Sequence, residues 1–238
     1  VMKHYGAPAA LTVIVTGHTI AFLSFALLRS VGEAAIKNHV PIGQNIREFG
    51  VELRSNRVLM MLVLITAAVE VFGFSFATAL PELATIRLNL GEDGLGYLHA
   101  ARAAGGIVAG LAMSFMGQMQ RKGLVFLCVI FAFGASILLL SIEGAILFTV
   151  CSVALVALLA TSSDVLTQSM MQLSVANELR GRAMGVWVLA VGIAPIGHLQ
   201  FGALSTAIGL SNTLAVNGTI LVVVGLIVAL VVPRLRQL

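Results

Sequence analysis

Apolar residues in this chain fall in unbroken blocks of about 20, the length at which an α-helix crosses the hydrocarbon core of a bilayer. Seven such blocks are legible, at 8–28, 58–80, 94–116, 124–141, 145–166, 183–207 and 213–232. Lipid offers no partners to backbone N–H and C=O groups, so only helices or closed barrels can span it. The blocks lack the alternation of barrel strands, and an all-α membrane protein of seven transmembrane helices is expected. Composition agrees: 59% of the 238 residues are hydrophobic and 10% are charged, against about 45–50% and 25% in soluble domains. A soluble enzyme and a nucleic-acid binder are excluded.

The net charge of +4 reports orientation. With the first span running inward, Arg29, Lys37, Arg47, Arg54, Arg57, Arg121, Lys122, Arg180, Arg182, Arg234 and Arg236 fall inside, and only Lys3 and Arg87 outside. That asymmetry places the C-terminus in the cytoplasm, with the chain a multi-pass protein of the cell (inner) membrane. Residue 1 is Val, and the opening residues lack the charged start and cleavage site of a signal peptide. The chain is therefore expected to be a fragment whose beginning is missing. Cys128 and Cys151 have neither metal-ligand nor disulfide spacing and read as packing residues. No metal or cofactor is called for.

The one long hydrophilic connection, 29–57, has Ile46, Phe49 and Leu53 at helical spacing, which predicts a short amphipathic helix on the inner membrane surface. The other connections leave no room for an extramembrane catalytic domain. Nor does a nucleophile, base and orienting group recur at useful spacing, so no enzyme is expected.

Ionisable groups at bilayer depth cost at least about 2.5–3.5 kcal/mol near a helix centre and need a reason. Three stand out: Glu70 in the second span, Arg102 in the third and Asp164 in the fifth. Thr66, Glu70, Phe74 and Thr78 are spaced by four and predict a polar and aromatic stripe on one helix face. Thr161, Asp164, Gln168 and Gln172 form a second stripe. Glu70 and Arg102 either pair to hold two helices together or serve a ligand or proton directly. Asp164 has no basic residue left in the spans to neutralise it. His18 and His198 read as hydrogen-bonded packing residues, and His99 as a solvated group near the outer surface. Gly106 and Gly110 give a GxxxG spacing in the third span, with Gly105 beside them, and predict close helix approach. Pro195, with Gly192 and Gly197, predicts a kink in the sixth span. The fourth span carries only Ser136 as an interior hydroxyl and is expected to face lipid, while the more polar spans enclose a path. The sequon Asn217-Gly218-Thr219 lies inside the last span and is read as accidental.

Three local patterns then resemble the C-terminal part of a major facilitator superfamily transporter, in the branch of bacterial drug and siderophore exporters similar to the enterobactin exporters. They are Asn45-Ile46-Arg47-Glu48-Phe49 through Arg54-Ser55-Asn56-Arg57-Val58-Leu59, then Leu95-Gly96-Tyr97-Leu98-His99-Ala100-Ala101-Arg102-Ala103-Ala104-Gly105-Gly106, and Gln172-Leu173-Ser174-Val175-Ala176-Asn177-Glu178-Leu179-Arg180-Gly181-Arg182-Ala183-Met184-Gly185. The last is the most specific. The resemblance implies that 1–28 is the last helix of a missing N-terminal half, 29–57 the cytoplasmic central linker and 58–238 the C-terminal six-helix half. It implies a secondary transporter exporting a small amphipathic compound by alternating access, driven by protons. The partners implied are that compound, the lipid bilayer and the missing half, with no nucleic acid. The spans of Glu70 and Asp164 would line the central cavity, so that both bind cationic substrate or titrate. Arg102 would set the local potential, and Phe74, Gln168 and Gln172 would contact ligand, with Thr66 and His198 on the same pathway. Glu178, Arg180 and Arg182 would form a cytoplasmic gate, or else simply anchor the inner surface. At 117–123 the loop lacks the acid of the family's basic signature. The alternative is a non-transporting membrane scaffold, or a degenerate half-transporter retained as an interaction partner.

Overall fold

A computed structural model describes residues 2–27, 50–51, 53–115 and 122–231, apart from the side chains of 2–5, 7, 10 and 178. The expected linker helix around 45–54 and the loop at 117–123 lie mostly outside the described residues, as do Arg234 and Arg236. The chain divides into two compact units, Val1–His39 and Val40–Leu238. Among the described residues all regular structure is helical.

The first unit holds α1 (Met2–Ala26), interrupted at Gly6, where φ is 76°. Its apolar stretch, Leu11–Ala26, is shorter than the six long apolar helices of the second unit. Side-chain hydroxyls of Thr12, Thr16, Thr19 and Ser24 bond carbonyls one turn back in the same helix. His18 does likewise, its Nδ1 lying 2.8 Å from the Ile14 carbonyl.

The second unit contains six helices long and apolar enough to cross a membrane: α2 (Arg57–Arg87), α3 (Gly91–Phe115), α4 (Lys122–Ser141), α5 (Ile146–Leu173), α6 (Arg180–Ile208) and α7 (Leu210–Val231). The principal contacts have an internal symmetry. α3 packs on α5 as α6 packs on α2, α4 packs on α5 as α7 packs on α2, and α4 lies along α7. Exchanging α2–α4 with α5–α7 thus preserves the scheme. Corresponding helices are three apart in chain order, an odd separation, so helices that each cross a membrane once would carry the two triplets through it in opposite directions.

Small residues set the close crossings. Gly105 abuts the Ala154 backbone of α5, and a Cβ there would lie 3.1 Å from that of Ala157. The buried seam of α3 is therefore Ala101, Gly105 and Ala109, whereas Gly110 of the expected GxxxG pair has nothing within 4 Å. Between α4 and α7, Gly134 and Gly218 face each other, each Cβ position 2.8 Å from the other's carbonyl oxygen.

Two expectations are corrected by this packing. The apolar α4 is the most enclosed of the six, with half of its most apolar window buried against 17% for α6. Without water there is no hydrophobic force to sort helices, so close packing decides which is central. Phe126, Ile130, Phe133 and Ile137 of α4 fill the core. Cys128 and Cys151 are exposed instead of packed.

The end of the bundle where α2 meets the loop to α3 is tied by Arg87. One of its terminal nitrogens donates to Leu140 O at 2.7 Å, the other to Ser141 O at 3.2 Å and to Ser211 Oγ at 2.7 Å. A cation thus closes the C-terminal end of α4, whose last carbonyls lack helical partners. At the opposite end Asn56 caps α2 by accepting from the Leu59 N–H, and its amide donates to Ser174 O just past α5.

Candidate functional site: two carboxyl groups and a basic cleft

α2 is irregular through its middle, and Pro81 supplies part of the reason. Proline has no N–H to offer the carbonyl four residues back, Ala77. Leu80 N–H bonds Ala77 O instead, and the turn tightens into a 3₁₀ segment, Phe74–Ala79. Immediately before it a π turn, Val69–Gly73, is closed by the Phe74 N–H on Val69 O. Such single π turns recur at functional positions, and Glu70 is in this one. The last turn, Leu83–Arg87, is π again, so α2 runs seven residues beyond the expected end at Leu80.

These changes of pitch split the stripe expected on α2. A 3₁₀ segment advances about 120° per residue, so four residues across Phe74–Ala79 carry Thr78 roughly a third of a turn off the line of Phe74. Thr66 and Glu70 are buried, and the Thr66 hydroxyl donates to Leu62 O of its own helix. Phe74 packs edge-on against Phe133 of α4, centroids 6.0 Å apart. Thr78 turns instead to α6, its Oγ1 2.8 Å from Nδ1 of His198. His198 is accordingly hydrogen-bonded, yet exposed rather than packed.

Glu70 is 7% exposed, and among the described residues its carboxyl group has no hydrogen-bond or ion-pair partner. The charged group acting on it is Asp164 of α5. Pairing of Glu70 with Arg102 is thus not what the structure contains: the charge near enough to act on Glu70 is that of Asp164, and Arg102 lies over Phe76 instead. Asp164 is half-buried, with the Gln168 amide donating to Oδ2 at 3.4 Å. The Trp187 indole N–H of α6 lies close enough to act on Asp164, but reaches no acceptor within hydrogen-bond geometry. The α5 stripe continues along the helix, where Gln172 donates to Met184 Sδ at 3.3 Å.

Arg102 holds its guanidinium 5.8 Å from the ring centroid of Phe76. It borders a cleft of about 330 Å³ formed by α2, α3 and α5, shared with Phe74, Phe76, His99, Ala160 and Thr161. Phe74 is one turn from Glu70 and Thr161 one turn from Asp164, so the cleft adjoins the acid pair. His99 is exposed, as expected, but it also lines this cleft.

At the opposite end of the bundle from Arg87, Arg180 Nε donates to Gln172 O at 3.2 Å and ties α6 to the end of α5. Arg182 is half-buried near the same end of α6, and the Glu178 side chain lies outside the described residues.

Three features escaped sequence reasoning. Glu82 follows the apolar block of α2 and was not counted within a span, yet it lies inside that helix. It accepts from Ser205 Oγ of α6 at 2.9 Å and borders a second cleft, of about 340 Å³. Asn217 is fully buried, donating to Ser75 Oγ at 3.2 Å and accepting from Gln200 Nε2 at 3.1 Å. Trp187 is the chain's single tryptophan, which could have marked it. The remaining signal available was that strongly polar residues at bilayer depth need partners. Among the described residues no three His, Cys, Asp or Glu side chains come together as a metal site would need.

Set against protein-family models and curated proteins, the chain matches neither a family model nor any curated sequence.

Proposed function

We propose that this chain is the C-terminal part of a secondary active transporter of the major facilitator type, exporting a small amphipathic compound by proton-driven alternating access. The observation that carries the reading is the acid pair. Glu70 and Asp164 lie in the middle stretches of corresponding helices of the two triplets, Asp164 near enough for its charge to act on Glu70, and neither has a basic partner among the described residues. Membrane proteins keep such groups where ions, protons or substrates pass. A purely structural role would favour a matched ion pair or an apolar replacement of the same volume.

The inverted relation of α2–α4 to α5–α7 supports the same reading, because transporters of this type are built from such repeats and bind at the repeat interface. On this reading α1 is a seventh crossing that leads in from a preceding half. The break in α6 is suited to a rocking motion: it lies at Gly192–Ile193, with Pro195 starting the second segment. In such a cycle the acid pair exchanges protons, Thr66 and Gln168 flank it, and Arg180 holds the inner ends of α5 and α6 together.

The test is dye efflux from vesicles carrying the full-length protein under an imposed proton gradient. Glu70→Gln and Asp164→Asn keep side-chain size but remove the titratable group. Each is expected to lower gradient-driven efflux at least tenfold while the protein stays folded and inserted. Undiminished efflux in both variants removes the acid pair from the mechanism.

A further inference from the structure

We infer that the cleft around Arg102 binds the anionic group of a small aromatic acid, separately from the acid pair that exchanges protons; this deepens the transport reading and rests on it. A guanidinium presents five N–H donors along its edge and an apolar face. In Arg102 the guanidinium carbon lies over the Phe76 ring, 5.8 Å from its centroid. Among the described residues no carboxylate, carbonyl or hydroxyl accepts from its edge. Asp164 takes the Gln168 amide, and neither it nor Glu70 forms an ion pair with Arg102 among the described residues.

The cleft wall has the matching character. It contains no acid, offers the His99 imidazole one turn before Arg102 and the Thr161 hydroxyl opposite, and brings Phe74 and Phe76 together. A carboxylate can take the guanidinium fork in bidentate fashion, with the ring it carries lying against the phenylalanines. A volume of about 330 Å³ is at the small end of ligand pockets, roughly 300–1,000 Å³, which suits one or two fused rings. A lipid headgroup is the wrong source for this anion. Arg102 is near the middle of α3, about 16 Å from the Gly91 end and about 20 Å from the Phe115 end at 1.5 Å per residue, deeper than headgroups lie.

The test is calorimetric titration of the detergent-solubilised full-length protein with three probes sharing one ring system: 2-naphthoate, 2-naphthylmethanol and 2-naphthylmethylammonium. The expected order is naphthoate tightest by at least tenfold. Arg102→Gln should erase that preference and leave the neutral probe within about twofold. Arg102→Lys, which keeps the charge without the planar fork, should retain the preference at reduced strength and guards against loss of fold in the first variant. Equal binding of anion and cation, or naphthoate binding unchanged in Arg102→Gln, overturns the inference. Proton-driven efflux that depends on Glu70, together with no anion preference, overturns this inference alone. Anion preference with efflux indifferent to Glu70 and Asp164 overturns the transport reading alone.

Discussion

Gly197 on α6 is the point where a single methyl group should be most damaging. A Cβ there would lie 2.7 Å from both Cα and O of Val71 and 2.9 Å from the carbonyl oxygen of Glu70. Carbon contacts settle at about 3.5–4.0 Å, so Gly197→Ala forces α6 and the π turn of α2 apart by about 1 Å. Every obstructing atom is backbone, and none can swing aside as a side chain would. A gap of about 0.5–1 Å forfeits a quarter to a half of the dispersion attraction across a contact, and overpacking generally costs about 1–3 kcal/mol. We expect the upper end, about 3 kcal/mol. Gly202, on the same helical segment, has nothing within 4 Å of its Cβ position, so Gly202→Ala should gain about 0.5–1 kcal/mol from helix propensity alone. Equilibrium unfolding in mixed micelles, followed by the fluorescence of Trp187 on the same helix, reads both variants. Equal stability of the two would refute the close approach of α6 to the Glu70 turn.

Other substitutions probe the fastenings around the site. Arg87→Ala removes the cation that closes the end of α4 and its bond to Ser211, and should cost about 2–3 kcal/mol in the same unfolding assay; Arg87→Lys should recover only part, because one ammonium cannot span the same carbonyls. Asn217→Leu strands the Ser75 hydroxyl and the Gln200 amide, and should cost about 1–2 kcal/mol on the scale measured for hydrogen bonds within membranes. No loss in Asn217→Leu would mean that the polar chain contributes nothing to holding α2, α6 and α7 together.

The sequence by itself determined where helices form and which of their residues are out of place in lipid. Both follow from hydropathy and local chemistry: a bilayer accepts almost nothing but apolar helices, and each buried charge is conspicuous against them. Glu70, Arg102 and Asp164 were legible for that reason, as was the break near Pro195. Partners were not legible. Opposite charge made a Glu70–Arg102 pair one of two readings, but the structure brings Asp164 near Glu70 and lays Arg102 over Phe76. Which charges meet depends on how α2, α3 and α5 pack. The glycine crossing of Gly105 on Ala154 sets α3 against α5, and no one-dimensional period reveals it.

Tertiary structure also decided the shape of α2. Thr78 leaves the stripe because the turns around Pro81 change pitch, and Glu82 joins the helix because α2 runs on to Arg87, its last turn packed on α3. The enclosed position of α4 is a packing outcome too. In water the most apolar helix would be driven inward by hydropathy; in lipid that force is absent, and only shape complementarity with α5 and α7 puts it there.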